Sequence, residues 1–413
     1  MAERLWEVPP TAGLPMSWRD FLPRGGSLEL GLAAYLHQPE VQIECSGTAA
    51  LVVALTTLKQ LSPRRSVVIP AYTCPLVALA VAYCGLTPVL CDTRPDHFDL
   101  CPDSLAAVCN ADTLAVLITH LGGRVAELEV TAGIVRGRGA YVIEDAAQSL
   151  GATWQGRPVG GFGDIGFYSL GVGKGLTIFG GGVLVAGQDE LRRQLRATSA
   201  GIAPFSTRWE LRRMLELAGY LGLYRPSGMG LAFGMSLRRR LKKGQLIEAV
   251  GDDCSANIPL HRVGAWRKAI GARALQRLPD FLEQTARQAE ARKIRLAAIP
   301  GVTLMRDAPG GTGTWPFFMM LMPSQAARDH VLASLWQAGL GVGRLFIHAL
   351  PDYPYLSALF QTAEVPNARD FAARMFIITN SPWLRNQDFE RICSVLEEVV
   401  VPDSVESKYN LPA

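Results

Sequence analysis

The stretch FYSLGVGKGLTIFGGG, residues 167–182, sets one lysine, Lys174, among glycines. No other lysine occurs between Lys59 and Lys242, although arginine is plentiful there. Arginine keeps its proton in proteins, whereas a desolvated lysine can lose it and become a nucleophilic amine. Upstream, AYVIEDAAQSLGA ends an apolar run on Glu144 and Asp145. A carboxylate at the carboxyl edge of a buried strand needs a cation or a donor beside it. That requirement fits a catalytic acid, and equally a helix cap or a structural ion pair. Earlier still, Ser46-Gly47-Thr48 opens a strong helical pattern. The first N–H groups of a helix lack intrahelical partners and attract an anion such as phosphate, though the same tripeptide is an ordinary helix start.

Together these features describe the needs of pyridoxal phosphate. That cofactor takes a lysine as a Schiff base, an acid on its pyridinium nitrogen and donors around its phosphate. Lys174 can supply the first, Asp145 the second, and Gly47, Thr48 and Ser169 the third. Gly173 and Gly175 give the backbone freedom to place the amine. Two nucleotide readings fail. Residues 161–166 satisfy G-x-G-x-x-G, but they follow an expected hairpin, TWQGRPVGG, rather than joining a strand to a long helix. A P-loop would need glycine at Tyr168 and a hydroxyl residue at Gly175. Six scattered histidines, and eight cysteines without a Cys-x-x-Cys pair, give no metal spacing.

The elements that must position these residues alternate between helix and strand from Gly47 to Val185. SVVIPA, TPVLCD, LAVLITH and AYVIEDA read as strands separated by helices, which predicts a parallel sheet covered on both faces. Ligands in such sheets bind at the carboxyl ends of the strands. Residues 204–256 read as an insertion, two amphipathic helices joined by a Pro-Ser-Gly turn. It is either a hairpin packed on the domain or a surface for a membrane or partner, since basic clusters flank its apolar faces. From Asn257 a long helix is expected to lead into a smaller α+β region, with strands in TWPFFMMLMP and LGVGRLFIHAL and a final helix NQDFERICSVLEEVV. The expected domains are therefore 1–256 and 257–413. With 413 residues, 49% hydrophobic, 19% charged and a net charge of +4, the composition is that of a globular enzyme without a nucleic-acid footprint. The N-terminus lacks a signal-peptide pattern and no apolar run reaches membrane-spanning length, so a cytoplasmic protein with reduced thiols is expected.

The stretches CSGTAALVVAL, IPAYTCPLVALAVAYCGLTPVLCD, THLGG, VIEDAAQSLGATWQGRPVGGFGDIGFYSLGVGKGLT and GGGVLVA resemble the DegT/DnrJ/EryC1/StrS family of pyridoxal-phosphate sugar aminotransferases. The resemblance runs in order from about residue 28 to residue 400, with the insertion outside it. It implies an α/β protein of the aspartate aminotransferase-like fold type I. Its large domain would hold a mostly parallel seven-stranded sheet beside a smaller C-terminal α+β domain. It also implies a homodimer with shared active sites, moving an amino group from an amino acid, typically glutamate, to a nucleotide-linked ketosugar. Lys174 matches the Schiff-base lysine, where a dehydratase branch has histidine, and Asp145 matches the acid at the ring nitrogen. Gln148 matches the glutamine beside the ring and its phenolic oxygen, and Ser169 and Gly47-Thr48 match the phosphate site. His120 and His348 match family histidines that serve either as structural hydrogen-bonders or as substrate contacts. Three departures stand out. Cys74 replaces the usual stacking aromatic, so either Tyr72 covers the ring or the stacking is weaker. The lysine run lacks its usual acidic residue. Leu260 stands two before Arg262, where the partner subunit usually offers asparagine, leaving Asn257 as the substitute. The same fold acting on a cyclitol or another non-sugar ketone, or a non-catalytic regulator docking through the insertion, are the alternatives.

Overall fold

The computed structural model describes residues 6–22, 26–361 and 363–400. The aliphatic runs form strands β1 (Gln42–Glu44), β2 (Ser66–Pro70), β3 (Thr87–Cys91), β4 (Thr113–Thr119) and β5 (Tyr141–Asp145). After the hairpin of β6 (Thr153–Trp154) and β7 (Arg157–Pro158) come β8 (Ile165–Ser169) and β9 (Gly182–Ala186). Gln155 and Gly156 turn that hairpin with φ of 48° and 74°, the left-handed pair that a two-residue loop between twisted strands requires. Seven strands make one sheet in the order β1-β9-β8-β5-β4-β2-β3. It is parallel from β3 through β2, β4 and β5 to β8, while β9 runs antiparallel between β8 and β1. This is the mostly parallel seven-stranded sheet that the resemblance implied.

The central strands are apolar without alternation because both faces are covered. Val67, Val68, Ile69, Val116 and Leu117 are wholly buried. Helices α1 (Leu28–Tyr35), α2 (Gly47–Leu61), α3 (Pro75–Tyr83), α4 (Pro102–Val108), α5 (Glu129–Gly137) and α6 (Asp189–Ile202) supply the cover. Helix α2 lies against β8 and β9, with Ala50 to Leu55 buried all round. Ser46 caps it by accepting a hydrogen bond from the Ala49 N–H at 2.9 Å, a contact worth about 1 kcal/mol.

The insertion forms α7 (Thr207–Leu223) and a second helical run over 226–242 that contains a π-helical turn at Gly230–Gly234. Pro-Ser-Gly is not the joint. Pro226 sits in the first turn of the second run, where its fixed φ and missing N–H are tolerated, and the chain breaks at Tyr224-Arg225. The inner side is anchored: Arg267 donates to both Glu210 carboxylate oxygens, at 2.8 and 2.7 Å, in a buried fork. The outer side leaves Leu211, Leu215, Leu231 and Met235 exposed.

The single long helix expected after Asn257 is two, Ala265–Leu275 and Leu278–Ala297. Pro279 explains the break, because its ring and missing N–H suit a helix start and not an interior. The C-terminal part then adds β10 (Thr303–Leu304), β11 (Gly311–Thr312), β12 (Phe317–Leu321), β13 (Val342–Gly343) and β14 (Met375–Thr379), with helices Gln325–Leu335 and Asn386–Val400. β10, β12, β14 and β13 form an antiparallel sheet, and β11 pairs with β6, stitching the two parts together. Among the described residues no helix is long and apolar enough to cross a membrane.

Candidate active site

A cavity of about 320 Å3 opens at the carboxyl ends of β4, β5 and β8, beside the starts of α2 and α3. Its wall brings together Lys174, Asp145, Gln148, Ser169, Gly47 and Thr48, residues up to 127 positions apart in sequence.

Glu144 and Asp145 illustrate how the strand decides between two carboxylates. Successive residues of β5 point to opposite faces. Glu144 accepts from the Gly160 N–H at 2.7 Å and the Phe162 N–H at 2.6 Å, and from Gly163 as well, so it ties the 160–163 loop to the sheet. It also meets His120 Nε2 at 3.1 Å, and the His120 Nδ1 accepts from the Ala126 N–H at 3.1 Å. That second bond places the ring proton on Nε2, so His120 donates to Glu144, and both of its nitrogens are spent on structure. The Asp145 carboxylate accepts the Ala147 N–H at 3.0 Å, its one hydrogen bond among the described residues, and Asp145 lines the cavity. Burial pushes its carboxyl above the ordinary range, and the Ala147 N–H and the Lys174 charge offset part of that.

The Lys174 amine makes no hydrogen bond within the described chain. Burial drives its pKa down, opposed by Cys74 and Asp145. Desolvation therefore favours the neutral amine, the state that the choice of lysine over arginine anticipates. Gln148 Oε1 accepts from the Gly122 N–H at 2.7 Å, which leaves its NH2 as the donor available to a ligand. At the start of α2, Ser46 takes the Ala49 N–H, so the Gly47 and Thr48 N–H groups remain for an anion. Ser169 Oγ accepts from the Gly171 N–H at 3.2 Å and keeps its own proton to donate.

These are the groups a pyridoxal phosphate molecule needs, and two orphaned hydroxyls strengthen the fit. Thr73 Oγ1 and Thr119 Oγ1 are buried in the cavity wall without a hydrogen-bond partner among the described residues, a cost that a bound polar ligand would remove.

Two expected residues lie elsewhere. Tyr72 is buried outside the cavity lining, its hydroxyl bonded to the Phe346 carbonyl at 3.2 Å and its ring edge-on to Phe346 and Phe371. That tie holds the ring in the packing between the two parts of the chain. Thr73, Cys74 and Phe346 form the cavity wall instead. Burial pushes the Cys74 thiol up to about 12, so it is a neutral wall atom. Phe346 had no local signal, since it arrives from the C-terminal part, and Thr73 was passed over between Tyr72 and Cys74. Asn257 is exposed and outside the cavity, its N–H bonded to Ser255 Oγ at 3.1 Å. His348 is half-buried, with its ring edge-on to Tyr353.

His261, four residues beyond Asn257, carries a pH effect. Both its ring nitrogens are buried without partners, and burial, aided by Arg267, pushes its pKa down to about 4. The unfolded chain binds a proton below about 6.5 while the folded chain resists until about 4, so His261 favours folding above that window and this contribution is lost as pH falls through it. The loss of Tm between pH 7 and pH 5 in thermal melts is expected to be smaller in His261→Phe than in the wild type.

A doubly covered α/β sheet with an unpaired lysine facing an aspartate at its carboxyl edge defines a fold type I pyridoxal-phosphate site. Comparison with known proteins agrees. The sequence profile of the DegT/DnrJ/EryC1/StrS aminotransferase family matches residues 16–397, and the chain belongs to that family. It is a pyridoxal-phosphate-dependent aminotransferase. The chain is 25% identical over 389 residues to dTDP-4-dehydro-2,3,6-trideoxy-D-glucose 4-aminotransferase of Saccharopolyspora spinosa, covering 93% of this chain and 91% of that one. It is 26% identical to GDP-perosamine synthase of Caulobacter vibrioides, covering 87% and 85%. Among solved structures, Helicobacter pylori PseC, an aminotransferase involved in the biosynthesis of pseudaminic acid, superimposes with a TM-score of 0.73 at 16% identity, covering 95% and 99%.

The cradle at Gly47 is tight. A Cβ there would stand 3.1 Å from the Ser169 Cβ, pushing on another residue of the cavity wall. Gly47→Ala is expected to raise the Kd for pyridoxal phosphate about tenfold, measured by fluorescence titration of apoprotein.

Proposed function

We propose that this chain moves an amino group from an amino acid, with glutamate the expected donor, to a ketosugar carried on a nucleotide. The observation that carries the reading is the Lys174 amine, without a hydrogen bond among the described residues, set with Asp145 in the cavity at the strand ends. The nucleotide-sugar part is supported by the names of the two full-length relatives, a dTDP-sugar and a GDP-sugar enzyme.

Bound pyridoxal phosphate supplies an electron sink that makes the α-proton of an amino acid removable. Lys174 would be the residue that holds the cofactor's aldehyde, and its amine, when free, would act as general base at the donor's α-carbon. Asp145 would sit at the ring nitrogen and keep the ring protonated, and Gln148 would donate to the ring hydroxyl. Gly47, Thr48 and Ser169 would hold the phosphate, and the apolar walls at Leu51, Val77 and Phe346 would limit water. We further propose a homodimer with shared sites, in which Asn257 is offered to the second copy, as its exposure allows. The exposed apolar and basic residues of the insertion are the surface available for peripheral membrane contact.

The test is a two-stage incubation. Glutamate alone should bleach the visible band of the holoprotein and release 2-oxoglutarate. Nucleotide-linked ketosugars should then restore the band and appear as amino sugars by mass spectrometry. A band unmoved by glutamate and other amino donors would refute transamination, and restoration by cyclitol ketones alone would move the acceptor outside the sugars.

A further inference from the structure

The inner face of the insertion has a definite partner, a non-helical strap over residues 6–16 whose Val8, Ala12, Leu14 and Met16 are buried. One end is fixed to the insertion. The Glu7 N–H donates to the Pro226 carbonyl at 2.9 Å, and the Glu7 carboxylate meets Arg238 at 2.7 Å. The strap is also fixed to the C-terminal part. The Val8 N–H donates to the Gly339 carbonyl at 3.0 Å, the Ala12 N–H to that of Pro316 at 2.8 Å, and Thr379 Oγ1 to that of Pro9 at 2.8 Å.

Its middle lies on the lysine loop. Thr11 Oγ1 donates to the Gly173 carbonyl at 2.7 Å and the Leu14 N–H to the Gly175 carbonyl at 3.1 Å, so the residues on either side of Lys174 are both held. Tyr224 pins this arrangement. Its Oη accepts from the Gly13 N–H at 3.2 Å and donates to the Thr11 carbonyl at 2.9 Å. Its ring stacks on Tyr220 at 4.5 Å and meets the edge of Trp383 at 5.8 Å. The fit leaves no slack, since a Cβ on Gly13 would stand 2.9 Å from both the Lys174 carbonyl and the Tyr224 hydroxyl.

We propose that Tyr224 is a positioning residue for Lys174, acting through Thr11 and Gly13, and that holding this loop is what the insertion contributes to the site. This rests on the reading of Lys174 as the amine that takes the cofactor. Gly171, Gly173 and Gly175 make the loop intrinsically loose. The amine has no hydrogen bond among the described residues, so its placement is set by the backbone. Misplacing a reacting group by about 1 Å can cost roughly a hundredfold in rate.

The test compares wild type, Tyr224→Phe, Thr11→Val and the double variant, with the outward-facing Leu215→Ala as control. Hydrogen exchange on apoprotein should show the amides of Gly13, Leu14 and Lys174 exchanging about tenfold faster in each single variant. Covalent capture of pyridoxal phosphate, followed by absorbance, and kcat with glutamate should slow by several-fold while KM for glutamate holds. The double variant should be no worse than the worse single one, the signature of one shared path. Wild-type exchange and kcat in Tyr224→Phe, or fully additive losses in the double variant, would overturn the proposal. If Tyr224→Phe does not fold, Thr11→Val alone gives the same readouts. Failure of the wild type to capture the cofactor at Lys174 would refute the reading of the lysine, and the exchange result would still decide whether the strap holds the loop.

Discussion

Lys174→Ala is expected to lower kcat for amino transfer by about 10^4-fold or more, because it removes a covalent anchor and a general base in one atom. Stability should not fall with it. The amine makes no hydrogen bond within the described chain, and burial already opposes its charge, so truncation removes a desolvated amine and breaks no bond there. The expected pair is therefore a dead enzyme whose apoprotein melts no earlier than wild type. Lys174→Arg should be as inactive, since a permanently protonated guanidinium is no nucleophile. Borohydride reduction followed by peptide mass spectrometry supplies the check: the cofactor's mass should appear on the peptide containing residues 167–182 in the wild type and in neither variant. Activity within tenfold of wild type in Lys174→Ala would remove this residue from the chemistry.

Asp145→Asn is expected to lower kcat by roughly 10^2- to 10^3-fold, the scale of losing one preorganised electrostatic contact in a water-excluded site. The substitution keeps the shape, and the side-chain oxygen can still accept the Ala147 N–H. What goes is the charge that, in the proposed function, would hold the ring nitrogen protonated. Burial has raised the Asp145 pKa because the folded protein disfavours its carboxylate, so a neutral amide relieves a penalty. Activity and stability should thus move apart, with the half-reaction with glutamate slowed and the apoprotein Tm level or higher. The reverse pattern, a large drop in Tm with the half-reaction intact, would make Asp145 a structural residue like its neighbour Glu144.

That neighbour shows where sequence reading stopped. Both acids were visible at a strand end, and the strand itself was legible from its β-branched run. The division of labour was not, because it depends on which face meets the 160–163 loop. Lys174 was legible as a rare residue type in a glycine setting, and Ser46-Gly47-Thr48 as a helix start, since both are local patterns. Phe346 was not legible as a wall residue, because its place is set by contact with residues hundreds of positions away. Tyr72 was assigned to the cavity from its neighbours in sequence, yet its hydroxyl is held by the Phe346 backbone. Strand β14, MFIIT, is short and follows a helix without a turn signal, so nothing local separated it from that helix. The break at Pro279 was readable and was overridden by the helical periodicity on both sides.

The strap has a consequence for how the chain matures. Thr379 and Pro9, which it joins, are 370 residues apart in sequence. Contacts of such separation form late, after the local ones. During synthesis the sheet of β1 to β9 can assemble early, but the strap cannot dock fully until the ribosome has released β14. A nascent or truncated chain ending before Thr379 would carry Lys174 and Asp145 on a formed sheet with the lysine loop incompletely clamped. Docking of the strap on the lysine loop is thereby coupled to the synthesis of β14.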